Sequence, residues 1–449
     1  MKKKKIILIN PGISTQTYAK NSSTKYPPLG IAYIAALTAK DKWEIEILDE
    51  NYEKVKYKPC DLVCFSIMTC QANRAYEIAT QYKEKGVPVI FGGVHPTFCT
   101  EESLEFCDSV VVGEAENIWS VVLEDFQKGN LKKIYKSEKE VDIHNLIYPA
   151  HDLLDKRYNF ASISTSRGCP MQCEFCSVAS FHGNRYRTRP ADEVVNEISI
   201  CKKKFIFFAD DNPYGYSEAH TKRFIDICKG MIKNKLNKTW ITQISMNFCY
   251  DLEAVKIAGK SGLIAVLLGI ESVNDEVLSG NMNKKINKKY VKNFQYSENL
   301  HKHGILICGS FILGNWEDNE KTFDNLYNFI KRSKIDVPAI NFLTPFPGTP
   351  LEKRLGQENK LDKFRNFPED WVNYNLVNQA IIETSTMSRD DLNKNMKKLI
   401  KKVYSRLEIL KRALYVLYYS KSLLKCIMAF QANLGYRDMY FNSVYFKSY

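Results

Sequence analysis

The sequence predicts an α/β protein in three parts: a doubly wound parallel sheet, an open barrel of six strand–helix units, and a mostly helical C-terminal region. Three observations predict it. Short apolar runs alternate with helical periodicity up to about residue 130 and again from 160 to 350, the pattern of parallel strands joined by crossover helices. Three cysteines, Cys169, Cys173 and Cys176, directly follow the first strand of the second series. From residue 388 apolar side chains recur every three or four positions, opposite a face rich in lysine.

In the first part the strands are expected at Lys5–Asn10, Trp43–Asp49, Asp61–Met68, Val87–Gly92 and Ser109–Gly113. Helices are expected at Pro28–Ala39, Ala72–Lys85, Glu101–Phe106 and Asn117–Gln127. Ligands of such sheets sit at the carboxyl ends of the strands. Those ends carry Gly12, Thr69, Gly92, Gly93, His95, Gly113 and Glu114. Glycines there let backbone approach a large flat ligand. Residues 136–158, charged and containing Pro149, read as a linker between a first domain at 1–135 and a second at 159–350.

The second part opens with the strand Phe160–Thr165 and the cysteine loop. Further strands are expected at 205–208, Trp240–Asn247, Leu263–Glu271, Ile305–Phe311 and Ala339–Thr344. Barrel active sites collect at the carboxyl ends of the strands. Asp210, Asp211, Glu271 and Gly309 stand at or near such ends.

The third part, 351–449, starts a helix at Ser388, and its apolar repeat from Leu392 to Leu417 reads as one long amphipathic helix. The plainer expectation packs it across the open side of the barrel; the sharper one is contact with anionic lipid at a membrane surface.

Composition is that of a folded, globular chain, 45% hydrophobic and 12% aromatic. The 13 cysteines are scattered rather than paired, which points to a reducing, cytoplasmic setting and not to a disulfide scaffold. The apolar run after the basic leader Lys2–Lys5 is too short for a signal peptide, and no run approaches the roughly 20 residues of a spanning helix. A net charge of +13 fits a lysine-rich surface, an acidic electron-donor protein or an anionic membrane; no nucleic-acid-binding motif accompanies it.

The spacing C-x3-C-x2-C is the most specific signal. Ordinary buried cysteines and a zinc site are the competing readings, but zinc usually takes a fourth protein ligand from paired C-x2-C units. Three thiols without a fourth leave one iron of a cubane cluster open.

This loop, placed after a strand, resembles that of the radical S-adenosylmethionine (SAM) superfamily. The resemblance implies a TIM-type partial barrel and a [4Fe–4S] cluster on Cys169, Cys173 and Cys176. It implies SAM cleavage to a 5′-deoxyadenosyl radical. By the same match, Phe175, Asp210 or Asp211, Glu271, Gly309 and Phe311 contact SAM. The first part is similar to the Rossmann-like cobalamin (B12)-binding domain ahead of many radical SAM barrels. Matching pieces are Pro27–Tyr33, Gly92–Thr97 and Val112–Glu116. The D-x-H-x-x-G motif that places a histidine beneath cobalt is absent, and Asp49–Tyr52 stands in its region. The resemblance implies a cobalamin-dependent methyltransferase acting on an unactivated carbon of a small molecule, served by a flavodoxin- or ferredoxin-type donor; the Tyr- and Phe-rich segments Leu414–Tyr419 and Met428–Tyr440 point to an apolar substrate such as a lipid or tetrapyrrole. A non-methylating, ring-forming or rearranging member and an iron–sulfur electron-transfer protein are the alternatives.

Overall fold

The structure, a computed structural model, describes residues 3–13, 25–280, 282–284, 287–361 and 365–448. Its first sheet contains β1 (Lys4–Asn10), β2 (Trp43–Asp49), β3 (Leu62–Ser66), β4 (Val89–Gly92), β5 (Ser109–Val112) and β6 (Ile134–Lys136). All pair in parallel, in the order β2-β1-β3-β4-β5-β6. The order reverses between β1 and β3, which opens a crevice at their carboxyl ends. Strands buried on both faces read as continuous apolar runs, as in the buried Ile6–Ile9 and Leu62–Phe65.

No strand was expected where β6 stands, at the border of the stretch read as linker. Its three residues are too few to show a period, yet Tyr135 is buried and the strand pairs with β5.

The second sheet contains β7 (Phe160–Ile163), β10 (Phe205–Phe208), β11 (Thr239–Ile244), β12 (Leu263–Glu271), β13 (Leu306–Leu313) and β14 (Val337–Phe342). They pair in parallel in sequence order, and among the described residues β7 and β14 are not joined. The barrel is open. Between β7 and β10, the two-residue strands β8 (Ser166–Arg167) and β9 (Arg187–Thr188) form an antiparallel ribbon around the cysteine loop.

The open edge is covered by the C-terminal helices, which limits its pairing with other chains. The Tyr440 hydroxyl accepts from the Ile340 N–H at 2.6 Å and donates to the Ile340 carbonyl at 2.8 Å. The Tyr404 hydroxyl donates to the Pro338 carbonyl.

The helix expected from Ser388 begins there, at Arg389, with a reciprocal cap. Ser388 Oγ accepts from the Asp391 N–H at 3.2 Å and the Asp391 carboxylate from the Ser388 N–H at 3.2 Å. It does not run on to Leu417. One helix spans Arg389–Val403 and another Arg406–Ser420. Ser405 caps the second, accepting from the Glu408 N–H, while Tyr404 is held by Pro338; these bonds break the axis where apolar periodicity alone continues.

Candidate functional site

The cysteine loop leaves the carboxyl end of the barrel sheet through Gly168. That residue has φ +82°, and a Cβ there would sit 2.2 Å from the Arg185 carbonyl oxygen, so only glycine fits. Cys173 is buried, and Cys169 and Cys176 are partly so. All three line one cavity of about 460 Å³, together with Phe175, Asp211, Tyr216, Glu271 and Lys284. Among the described residues no three acidic, histidine or cysteine side chains converge on a single ion. A cubane does not require that, because each thiolate binds its own iron. Burial pushes the Cys173 thiol up to about 11 and the Cys176 thiol up to about 12. Thiols so buried keep their protons at neutral pH unless a cation stabilises the thiolates, and iron coordination does so. The donor set fits a cluster.

Other expected SAM contacts divide. Asp211 and Glu271 are in the cavity wall. At the end of β12 the register against β13 slips between Gly269 and Glu271, and Glu271 has φ +69°. Such an irregularity re-aims a side chain. Glu271 forms an ion pair with Lys284.

Asp210 does not reach this wall. Its carboxylate accepts from the Thr165 N–H at 2.9 Å, the Ser166 hydroxyl at 2.6 Å and the Ser166 N–H, fixing the turn before the cysteine loop. Burial raises its carboxyl to about 6 despite these bonds. Gly309 and Phe311 are also turned away. A Cβ on Gly309 would meet Ile335 and Ile270, and Phe311 packs on Phe329. Alternate residues of a strand face opposite sides, so β13 presents Ser310 and Ile312 to the cavity instead.

A second cavity, of about 330 Å³, lies at the carboxyl ends of the first sheet. Gly92, Gly93, Gly113 and Glu114 line it. Gly93 has φ +99°, and a Cβ there would meet the Ile67 backbone nitrogen at 2.7 Å. The Ile67 carbonyl accepts from the His95 N–H at 3.0 Å, closing the turn. Gly12 and Thr69 are outside this wall: the Gly12 N–H donates to the Glu50 carboxylate and Thr69 is buried. His95 is outside it too, fully buried, bonded to the Tyr76 hydroxyl at 2.8 Å and packed edge-on against Trp371. Its geometry is that of a core histidine rather than of a ligand in this cavity. The roomy apolar wall of Leu8, Ile31, Phe65 and Val111, with glycine at the strand ends, fits a flat ligand such as cobalamin.

Asp211 lines both cavities. Burial pushes its carboxyl above the usual carboxylate range, opposed by the charge of His182.

Sequence reading missed the charged bridge beside this wall. Arg187 donates to Glu114 at 2.8 and 3.0 Å, Arg167 to Glu114 at 3.2 Å and to Glu116 at 2.6 Å, and His182 Nδ1 is 2.7 Å from Glu114. The partners are 51 to 73 positions apart, beyond any local pattern. The arginines flank the cysteine loop and the glutamate ends the first sheet. Burial alone would raise the Glu114 carboxyl, but His182, Arg187 and Arg167 outweigh it and hold it well below the usual range.

A parallel barrel with three thiols at its strand ends, preceded by a crevice for a second flat ligand, defines a radical SAM enzyme carrying a [4Fe–4S] cluster. A family model described as the radical SAM superfamily matches residues 163–330, and one described as a B12 binding domain matches residues 16–123. The chain is 33% identical over 426 residues to bacteriochlorophyllide d C-12(1)-methyltransferase of Chlorobaculum tepidum, covering 91% of this chain and 89% of that one. It is 29% identical to the C-8(2)-methyltransferase of the same organism, covering 83% and 84%. The cobalamin-dependent SAM radical enzyme OxsB, 14% identical, has the same fold with a TM-score of 0.68, covering 98% of this chain and 72% of that one. The chain belongs to the family of cobalamin-dependent radical SAM methyltransferases, and its cofactors are the cluster, SAM and cobalamin.

Proposed function

We propose that the chain methylates an unactivated carbon of an apolar, ring-shaped substrate of the tetrapyrrole class. One observation carries this: Asp211 stands in the walls of both cavities, so a single carbon placed beside it is open to both cofactors. When bound, the cluster and SAM would supply a 5′-deoxyadenosyl radical, and cobalamin would pass on a methyl group taken from a second SAM.

In this reading Cys169, Cys173 and Cys176 hold the cluster. Phe175, Asp211, Glu271, Ser310 and Ile312 bound the SAM space, and Gly92, Gly93 and Gly113 floor the cobalamin space. The Glu271–Lys284 pair offers one negative and one positive group to the ends of an amino acid moiety. The apolar walls exclude water from a reactive radical. The tetrapyrrole class is supported by the two bacteriochlorophyllide methyltransferases, whose lengths this chain spans almost fully. A flavodoxin- or ferredoxin-type protein supplies electrons, and a net charge of +13 suits an acidic donor. Thirteen unpaired cysteines suit the cytoplasm.

Anaerobically reconstituted protein with cobalamin, dithionite, methyl-labelled SAM and a chlorophyllide-type tetrapyrrole tests this. Label in the tetrapyrrole is the expected result. A changed tetrapyrrole with label only in methionine would establish the ring-forming alternative. Absence of both 5′-deoxyadenosine and S-adenosylhomocysteine under competent reduction would favour electron transfer alone.

A further inference from the structure

The helices Arg406–Ser420 and Leu423–Phe441 form a hairpin joined at Lys421 and Ser422. Each presses one stripe inward. Ile409, Ala413 and Val416 are buried on the first, and Ala429, Asn433 and Tyr440 on the second. Val416 and Ala429 pack on Leu306 of the barrel.

The outward stripes are apolar as well. On the first helix Leu407, Leu410, Leu414 and Tyr418 are exposed, the last at 70%. On the second, Leu423, Leu424 and Ile427 are exposed, the first two at 65% and 62%. The spacings of three and four keep each set on one side of its helix. A helix packed at the surface normally turns charge outward. A contiguous exposed apolar patch marks an interaction site.

Charge says what covers it. The hairpin itself, residues 406–441, holds six lysines and arginines against two acids. More lysines stand at the tip. Lys425 donates to the Gly304 carbonyl at 2.6 Å. Beside it, burial and then the charges of Lys256, Lys260 and Lys302 push the His303 imidazole below its usual range. Lys421 lies 4.6 Å over the Tyr418 ring. An apolar stripe framed by lysine matches the boundary between acyl chains and anionic headgroups. A second copy of the chain would bring like charge against like.

We propose that this hairpin is a docking surface for an anionic lipid bilayer. Gly304 precedes β13, so the tip lies at the amino ends of the barrel strands, opposite the cysteine loop. A docked protein keeps the cluster end free for its electron donor. The proposal concerns where the enzyme works and does not depend on its substrate.

Co-sedimentation of the full chain with vesicles tests it, using phosphatidylcholine alone and an equal mixture with phosphatidylglycerol. The protein is expected to sediment with the mixed vesicles, more strongly at low salt. The exposed double variant Leu414→Gln/Ile427→Gln is expected to bind about tenfold or more weakly with unchanged circular dichroism. Lys411→Glu/Lys421→Glu is expected to lose the preference for the mixture. Three results would overturn the proposal: no sedimentation at low salt, equal binding to neutral vesicles, or a wild-type dimer in light scattering that the apolar double variant dissociates.

Discussion

The hydroxyl of Tyr216 lies 2.9 Å from Sγ of Cys169. Hydrogen bonds to cluster sulfurs raise reduction potentials by stabilising the more negative state. Tyr216→Phe is therefore expected to assemble a cluster of normal absorbance whose midpoint potential is more negative by some tens of millivolts. Potentiometry followed by electron paramagnetic resonance measures the shift, and an unchanged potential would remove Tyr216 from this role.

Cys173→Ala should abolish both the broad visible absorbance of the cluster and SAM cleavage. Cys228, fully buried in the core away from the cavity, is the control. Cys228→Ala should cost only about 1 kcal/mol of stability and leave cluster content intact.

Glu114→Gln should destabilise the cofactor-free protein by about 2 kcal/mol at pH 7, because Arg187 and Arg167 lose the anion they share, although Arg167 keeps Glu116 and Arg187 keeps Glu140. The sign with pH follows from the lowered carboxyl. Its contribution is complete above the unfolded value near 4.5 and is lost as the pH falls towards the folded value. Thermal melts of the two proteins should therefore converge on acidification below about pH 4 and stay apart between pH 5 and 8.

Gly93→Ala places a Cβ against backbone rather than against a flexible side chain, at positive φ. It should cost more than about 1 kcal/mol and weaken cobalamin retention, read from the optical spectrum after gel filtration. Gly129→Ala, also at positive φ but with open space around it, should show the stability cost alone.

Asp211→Asn should keep the fold and weaken SAM binding in equilibrium dialysis. Asp210→Asn should act in the opposite order, lowering the melting temperature first. It loses acceptors for Thr165 and Ser166 while leaving the cavity wall in place.

The alternation of strand and helix was legible because buried parallel strands are continuous apolar runs. The cysteine loop was legible because its spacing is local. What failed was phase. Gly309 and Phe311 stand on the right strand but on its outer face, and only pairing with β12 and β14 shows that Ser310 and Ile312 point inward. His95 failed for a related reason. A histidine beside two glycines at a strand end reads as a candidate ligand in sequence, yet Trp371, about 280 positions later, packs against it in the core. Tyr404 kept the helical period intact while its hydroxyl, bonded to Pro338, helped to end the helix.

The bridge from Glu114 to Arg167 and Arg187 bears on how the enzyme can be dissected. A fragment beginning at residue 159 would carry both guanidiniums beside its cysteines with no counter-charge from the first sheet. Such a fragment would lose the Glu114 and Glu116 contacts that tie Arg167 and Arg187, which flank the cysteine loop, to the first sheet. The barrel is thus not a portable module. A chimera that exchanges the first domain is expected to need an acid just after its fifth strand to keep Arg167 and Arg187 paired.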